Sequence, residues 1–352
     1  MSDSDLEAFL RRQISATGAM PVGEFMQRCV SSYYAGRDPF GREGDFVTAP
    51  EISQMFGEII GLWAAIVWQM LGSPSELVLA ELGPGRGTLM ADLLRAAGTL
   101  PGFRQAIRVH LVETSPALKA KQQEVLAGFD AVWHEAIDTL PAGPAIIVAN
   151  EFFDALPIDQ YVYRAGGWHE RMVTCRDAFA FTDGPEVSDR RMIELGAPEA
   201  KLGDVFEVNP AARRLVQALA HRFETQPGVL LAIDYGYDQS AVGDTLQAVR
   251  RHQPVPVLQQ PGEADLTAHV DFAALVRSAA SAKASPIAGQ GSFLRRLGIE
   301  LRAEKLAAAH PDKAEELLAG CHRLINPGGM GTLFKVLALS SPDLPDLPGF
   351  VS

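Results

Sequence analysis

An acid followed by three glycines at alternate positions is the feature of this 352-residue chain best suited to chemistry. The string runs Leu77-Val78-Leu79-Ala80-Glu81-Leu82-Gly83-Pro84-Gly85-Arg86-Gly87-Thr88-Leu89. A short apolar run ends in the acid, and an amphipathic stretch from Leu89 to Ala97 follows the glycines. That order predicts strand, tight turn, helix. Without Cβ atoms the backbone turns sharply and a ligand approaches the main chain closely. The amides that open the helix point at the same place. Glu81, Gly83, Pro84, Gly85 and Gly87 are therefore candidate binding residues for a nucleotide-type cofactor. The same glycines also fit a turn that binds nothing. Two further acids close apolar runs. Glu113 follows Ile107–Val112, and Asn150-Glu151-Phe152-Phe153-Asp154 follows residues 145–149. Ligands gather at such strand ends in doubly wound sheets.

Spacing separates the cofactors. A dinucleotide site wants G-x-G-x-x-G/A, and Thr88 stands where the third glycine or alanine would be. The pattern E-x-G-x-G-x-G instead resembles motif I of S-adenosylmethionine (SAM) methyltransferases. Glu113 then falls where an acid accepts both ribose hydroxyls.

These residues need a frame, and the bulk properties bound it. The chain is 47% hydrophobic and 21% charged, an ordinary globular composition. Its formal charge of −12, from 31 basic and 43 acidic residues, argues against a nucleic-acid backbone as partner. Cys29, Cys175 and Cys321 are far apart and form no C-x-x-C pair. They predict reduced thiols, not a disulfide framework or a zinc site. The acidic amino terminus is neither a signal nor a transit peptide. The apolar run from Ile59 to Leu71 is too short to span a bilayer. The expectation is a cytoplasmic protein with no membrane insertion and no metal.

Strands are expected at 77–82, 107–112, 145–149 and 229–233, short apolar runs that suit strands buried on both faces. Helices near 114–127 and 210–225 lie between them as crossovers. Residues 3–34 read as a helical pair broken near Pro21, 35–50 as an ordered loop, and 51–71 as one helix. Residues 160–164 and 168–173 alternate around Gly166-Gly167 and predict a β-hairpin. Helices over 271–280 and 312–324 and a last strand over 331–338 complete the pattern. The fold class is α/β, a Rossmann-like sheet. The expected organisation is an N-terminal helical extension over 1–74 and a core over 75–340. The core carries an inserted hairpin near 158–208 and a helical insertion near 290–328, and residues 341–352 form an irregular tail.

Several longer strings carry a family resemblance. They are Tyr33-Tyr34 with 37–41, residues 44–54, Asn150 through Pro157, Asp234-Tyr235-Gly236, and Asp265 through Phe272. Together they resemble the MidA-type methyltransferases, over residues 5 to 340. The resemblance implies a class I SAM-dependent methyltransferase sheet and SAM as cofactor. Mitochondrial members act in complex I assembly by methylating an arginine of the 49-kDa subunit of NADH dehydrogenase. A protein substrate bearing an arginine is therefore implied here, with a complex I subunit as one candidate.

Methyl transfer from a sulfonium is an in-line displacement, so the nucleophile must be held in a near-attack geometry. An arginine arrives as a cation with a pKa above about 12. Its site should hold carboxylates that clamp the guanidinium. Glu151 is the first candidate, and Glu51 and Asp234 are others. Asp154 is either a second carboxylate or the cap of a following helix. Phe152 and Phe153 either wall a cation or are core. Thr48 and Ser53 are candidates for the methionine part of SAM. Thr48 also fits as an N-cap, with Pro50 in the first turn and Glu51 completing a capping box. Asn150 is assigned to the cofactor side. Trp133, His134 and Ile137 fall where an adenine ring would lie, and His269 has both a substrate-contact and a structural reading. Three competing functions remain open at this level: a nucleotide-binding dehydrogenase, a non-catalytic assembly factor, and a small-molecule methyltransferase. The oligomeric state, with a homodimer as one option, is open too.

Overall fold

A computed structural model describes residues 3–35 and 48–350. The strings at 37–41 and 44–47 lie outside the described residues, as does most of the loop expected over 35–50. The chain divides into two compact units. One comprises residues 47–152, 215–236 and 276–352; the other comprises 1–46, 153–214 and 237–275.

The first unit is built on a sheet. Its strands are β1 (Leu77–Leu82), β2 (Ile107–Val112), β3 (Ala131–His134), β4 (Ala145–Asn150), β5 (Gly228–Tyr237), β6 (Lys283–Ala284) and β7 (Phe334–Ser340). The order across the sheet is β3-β2-β1-β4-β5-β7-β6. From β3 to β5 neighbouring strands run parallel, and β7 is antiparallel to β5. Every residue of β1 and β4 is buried, as continuous apolar runs require when helices cover both faces. β3 was not expected. It is short and half-exposed, with no apolar run to mark it.

The chain leaves β1 toward β2 on one side and reaches β4 on the other. This reversal opens a crevice at the carboxyl ends of β1 and β4. The register fixes what lines it: Leu82 pairs with Val112 on one side and with Ala149 on the other.

The helix expected over 51–71 is two helices, Ala49–Ile52 and Gln54–Met70. The break is Ser53, an extended residue whose hydroxyl accepts the Met55 amide and caps the longer helix. The longer helix packs in the sheet unit's core, so the domain boundary expected near residue 74 falls earlier. It lies closely on the helix Thr88–Ala97, and a Cβ on Gly61 would sit 2.8 Å from the Leu93 carbonyl oxygen. Residues 341–350 form neither helix nor strand, and Leu344, Leu347 and Phe350 among them are buried in the same core. Trp63 donates its indole N–H to the Pro348 carbonyl. Among the described residues no helix is long and apolar enough to cross a membrane.

The second unit contains the helices Asp3–Thr17 and Val22–Ala35, close to their expected limits. The hairpin forms as Asp159–Arg164 and Gly167–Cys175. It extends into a five-stranded sheet with Met20–Pro21, Phe179–Val187 and Val205–Val208. A three-stranded sheet of 247–250, 253–255 and 265–267 completes the unit. The N-terminal helices therefore pack with the inserted strands as one body, not as a separate extension.

The close helix crossing at Gly61 leads to a prediction. Gly61→Val should destabilise the protein by about 1–3 kcal/mol through overpacking, despite a gain in helix propensity. Denaturant unfolding measures this, and an unchanged midpoint would contradict the close approach.

Candidate functional site

The turn after β1 follows from its residues. Gly83, Gly85 and Gly87 adopt φ of +61°, +52° and +84°, a region that residues with a Cβ enter only at a cost. Pro84, buried between the first two, accepts the Gly87 amide at 2.7 Å and closes the turn. Gly83 donates to the Val112 carbonyl at 3.0 Å, which ties the turn to the end of β2. A Cβ on Gly83 would lie 2.8 Å from Phe152 Cδ2, so the absent side chain also makes room for that ring.

Glu81 lies beneath the turn and is 3% exposed. Burial pushes its carboxyl up to about 8, against the Met90 backbone amide that favours the anion. Its Oε2 has no hydrogen-bond partner among the described residues, and neither has Asn150 Oδ1. Two orphaned buried acceptors at the ends of the two central strands fit a pocket that takes a polar ligand.

Glu113 is held more firmly. Its Oε1 accepts the Thr114 and Ser115 amides at 2.8 and 2.7 Å, and its Oε2 accepts Gln122 Nε2 at 3.1 Å. These three bonds leave one lone-pair position on Oε2 by the usual count for a carboxylate. Burial raises the Glu113 carboxyl, and the three donors with nearby Lys119 act against it.

The structure brings several other predicted residues together in the sheet unit. Glu151, at the carboxyl end of β4, has φ of +49°, which is uncommon for a non-glycine residue. Its amide donates to the Ile233 carbonyl, and its Oε1 accepts the Ala49 amide at 3.0 Å and Asn150 Nδ2 at 3.4 Å. Glu51 Oε1 accepts the Thr88 hydroxyl at 2.6 Å, and its Oε2 lies 3.9 Å from Arg86 Nη1. The capping box is therefore not formed. Thr48 sits at the N-cap position without a side-chain bond, and Glu51 reaches the glycine turn instead. The Ser53 hydroxyl caps the next helix. Asp234 is fully buried and accepts the Phe152 and Tyr235 amides at 3.1 and 2.9 Å, as an Asx-type residue does.

Asp154 departs from its reading as a cap: no helix starts there. Residues 153–158 are turns that lead into the strand Asp159–Arg164. Asp154 belongs to the second unit, where it is buried near Tyr34, whose hydroxyl donates to Asp265 Oδ1 at 3.0 Å. Three of the family-like strings thus meet there. Phe153 is fully buried core, whereas Phe152 covers the glycine turn. His269 is half-buried in the same unit, and its amide donates to Thr245.

Three residues escaped the sequence reading. Gln122 is wholly buried and bonds to Gly85, Glu113 and Trp133. Its spacing four residues after buried Leu118 was the available signal. His110 donates to or accepts from His134 at 2.8 Å, and burial pushes its imidazole down to about 4. Asn209 caps the helix Pro210–Thr225 and donates to the Phe153 and Leu156 carbonyls. Trp133 spends its N–H on Gln122 and packs against the core. His134 also bonds Thr139, so both are already engaged.

A glycine turn at the switch point, an acid closing β2 and orphaned acceptors beside them are carried on a sheet of the class I methyltransferase type. Known proteins agree. A family model described as S-adenosyl-L-methionine-dependent methyltransferase matches residues 59–288. The Drosophila melanogaster protein arginine methyltransferase NDUFAF7 homolog, mitochondrial, is 36% identical, with 94% of this chain and 83% of the relative covered. The human mitochondrial protein arginine methyltransferase NDUFAF7 is 35% identical, covering 94% and 82%. A methyl transferase-type structure from Burkholderia thailandensis bound to S-adenosyl-homocysteine superposes with a TM-score of 0.88. It is 28% identical and covers 99% of this chain and 95% of that one. The chain belongs to this family of SAM-dependent methyltransferases, and SAM is its cofactor.

Two predictions come from the strained and buried acids. Glu151→Gly and Glu151→Ala remove the same carboxylate, but only glycine relieves the left-handed backbone. The glycine variant should be the more stable by about 1 kcal/mol in urea unfolding. Equal stabilities would show that the conformation carries no strain. For Glu81, the folded carboxyl titrates at about 8 against an ordinary 4.5. Its contribution to stability is then full below that ordinary value and is lost as the pH rises through about 8. The stability advantage of the parent over Glu81→Gln should shrink steadily with rising pH. A pH-independent difference would mean that folding leaves the Glu81 carboxyl unshifted.

Proposed function

We propose that this chain transfers the methyl group of SAM to a guanidinium nitrogen of an arginine in a protein substrate. The observation that carries the reading is Glu151. It stands in a left-handed conformation at the carboxyl end of β4, directly before Phe152, whose ring covers the glycine turn. Non-glycine residues held at such angles cost of order 1–3 kcal/mol and cluster at functional sites. Relatives at 35–36% identity bear the name protein arginine methyltransferase, which supports arginine as the target type.

SAM supplies an electrophilic methyl on a sulfonium. The chain's residues do the rest. The amides of the glycine turn and the Glu113 carboxylate bind and orient the adenosyl part. Asn150 and Thr48 line the pocket toward the methionine part. Glu151 accepts the guanidinium N–H groups, localises the positive charge away from the attacking nitrogen, and holds that nitrogen in line with the methyl. As the N–C bond forms and the S–C bond breaks, S-adenosylhomocysteine would leave as a neutral thioether and the attacking nitrogen would lose its N–H proton to the neighbouring carboxylate or to water. The positive charge growing on that nitrogen strengthens its interaction with the carboxylate toward the transition state. Glu51, bonded to Thr88, is the second carboxylate near the turn. The 49-kDa-type subunit of NADH dehydrogenase is the first substrate to try. A cytoplasmic setting fits the three free thiols.

Glu151→Gln keeps the shape and removes the charge. SAM should bind with near-normal affinity in calorimetry, while methyl transfer to an arginine-bearing subunit or peptide falls by orders of magnitude. Transfer at the parent rate would refute the carboxylate clamp and leave Glu51 as the next candidate.

A further inference from the structure

Helix Pro116–Val125 presents one wholly buried polar side chain among neighbours that face solvent. Gln122 Nε2 donates to the Gly85 carbonyl at 2.7 Å and to Glu113 Oε2 at 3.1 Å. Its Oε1 accepts the Trp133 indole N–H at 2.8 Å. An indole only donates, so the amide can face only one way, with its NH₂ toward Gly85 and Glu113. The contact is steric as well. A Cβ on Gly87 would sit 3.5 Å from both Cα and Cγ of Gln122, so the stem of the side chain supports the last glycine of the turn. One amide therefore joins the loop after β1, the acid after β2 and the indole on β3.

We infer that Gln122 is a positioning residue of the SAM site, setting the spacing between the glycine cradle and the Glu113 carboxylate. The inference rests on the cofactor lying against those two features. An apolar residue of equal volume would leave the Gly85 carbonyl, a Glu113 oxygen and the Trp133 indole N–H without this partner and cost stability, so the positioning role is read from the pH dependence of binding and not from stability. The particular partners, a loop carbonyl and a carboxylate oxygen, are what an apolar replacement gives up.

Gln122 also acts on the charge of Glu113, because a donor to a carboxylate favours the anion. Burial works in the opposite direction, and Lys119 on the same helix works with the donors. The Glu113 charge in turn adds to the upward push on the Glu81 carboxyl of β1. Without Gln122, Glu113 should take up its proton at a higher pH. A protonated Glu113 presents a poorer acceptor to a ribose hydroxyl, so binding should begin to fail at a higher pH too.

The test is the affinity for S-adenosylhomocysteine, which binds without turnover, measured by calorimetry from about pH 5 to about pH 9. Gln122→Met keeps the volume and removes the amide. Its affinity at neutral pH should drop about tenfold, the low end for a hydrogen bond to a charged group. The midpoint of its acid-side loss of binding should move to higher pH. Gln122→Glu is nearly isosteric, keeps the acceptor for the Trp133 indole and removes the donor to Gly85 and Glu113, and it serves if the methionine variant fails to fold. It places a second carboxylate beside Glu113 and should move the midpoint upward as well. A folded variant with parental affinity and an unmoved midpoint overturns the inference, as does a uniform loss with no shift in midpoint. Glu113→Ala on the same titration keeps the two ideas apart. If that variant binds normally, the cofactor placement itself is wrong. If it binds weakly while the Gln122 variants show no shift, only the role of Gln122 fails.

Discussion

The left-handed turn at Gly83, Gly85 and Gly87 is the constraint on which the rest of the sheet unit depends. Three residues at positive φ are affordable in so short a span only where no Cβ is present. At two of them a neighbour uses the space, the ring of Phe152 at Gly83 and the stem of Gln122 at Gly87, and the Gly85 carbonyl accepts Gln122. The turn then launches the helix Thr88–Ala97, whose line is fixed by the close crossing at Gly61. From outside, Glu51 holds the first helical residue through the Thr88 hydroxyl. Cofactor cradle, core packing and the short helix Ala49–Ile52 are thus parts of one arrangement.

The second left-handed position, Glu151, stands where sheet and chemistry meet. Its amide continues the pairing of β4 with β5, and Asp234 then takes the next amide, that of Phe152. The backbone is held on both sides while its side chain is directed toward the Ala49 amide. Such over-determination is what allows a residue with a Cβ to remain at an unfavourable angle. The string Asn150–Pro157 divides here. Its first part completes the sheet unit, and from Phe153 onward it belongs to the second unit, where Asn209 pins its carbonyls.

Much of this frame was legible in the sequence. The strands β1, β2, β4 and β5 are apolar runs because both faces of a parallel sheet are covered, and burial on both faces is what such runs report. β3 was not legible: Ala131–His134 is short and half-exposed. The break at Ser53 was hidden because Thr48-Ala49-Pro50-Glu51 satisfies a capping pattern locally, while Glu51 is taken by a partner 37 positions away. Gln122 was hidden because a glutamine beside Lys121 and Gln123 reads as helix surface. Only its place on the Leu118 stripe betrayed it. The union of the N-terminal helices with the inserted strands rests on pairings such as Met20 with Val173, which no local pattern announces.

The family and its cofactor are established by fold, site and relatives together, and the nucleophile is the central claim. The most direct measurement compares the proteome of cells with and without this chain by mass spectrometry, searching all peptides for mass increments of methylation. The account predicts that arginine methylation disappears from one protein, or a small set, and returns when the parent chain is restored but not when Glu151→Gln is. Loss of methylation confined to other residue types, or full restoration by Glu151→Gln, would contradict it.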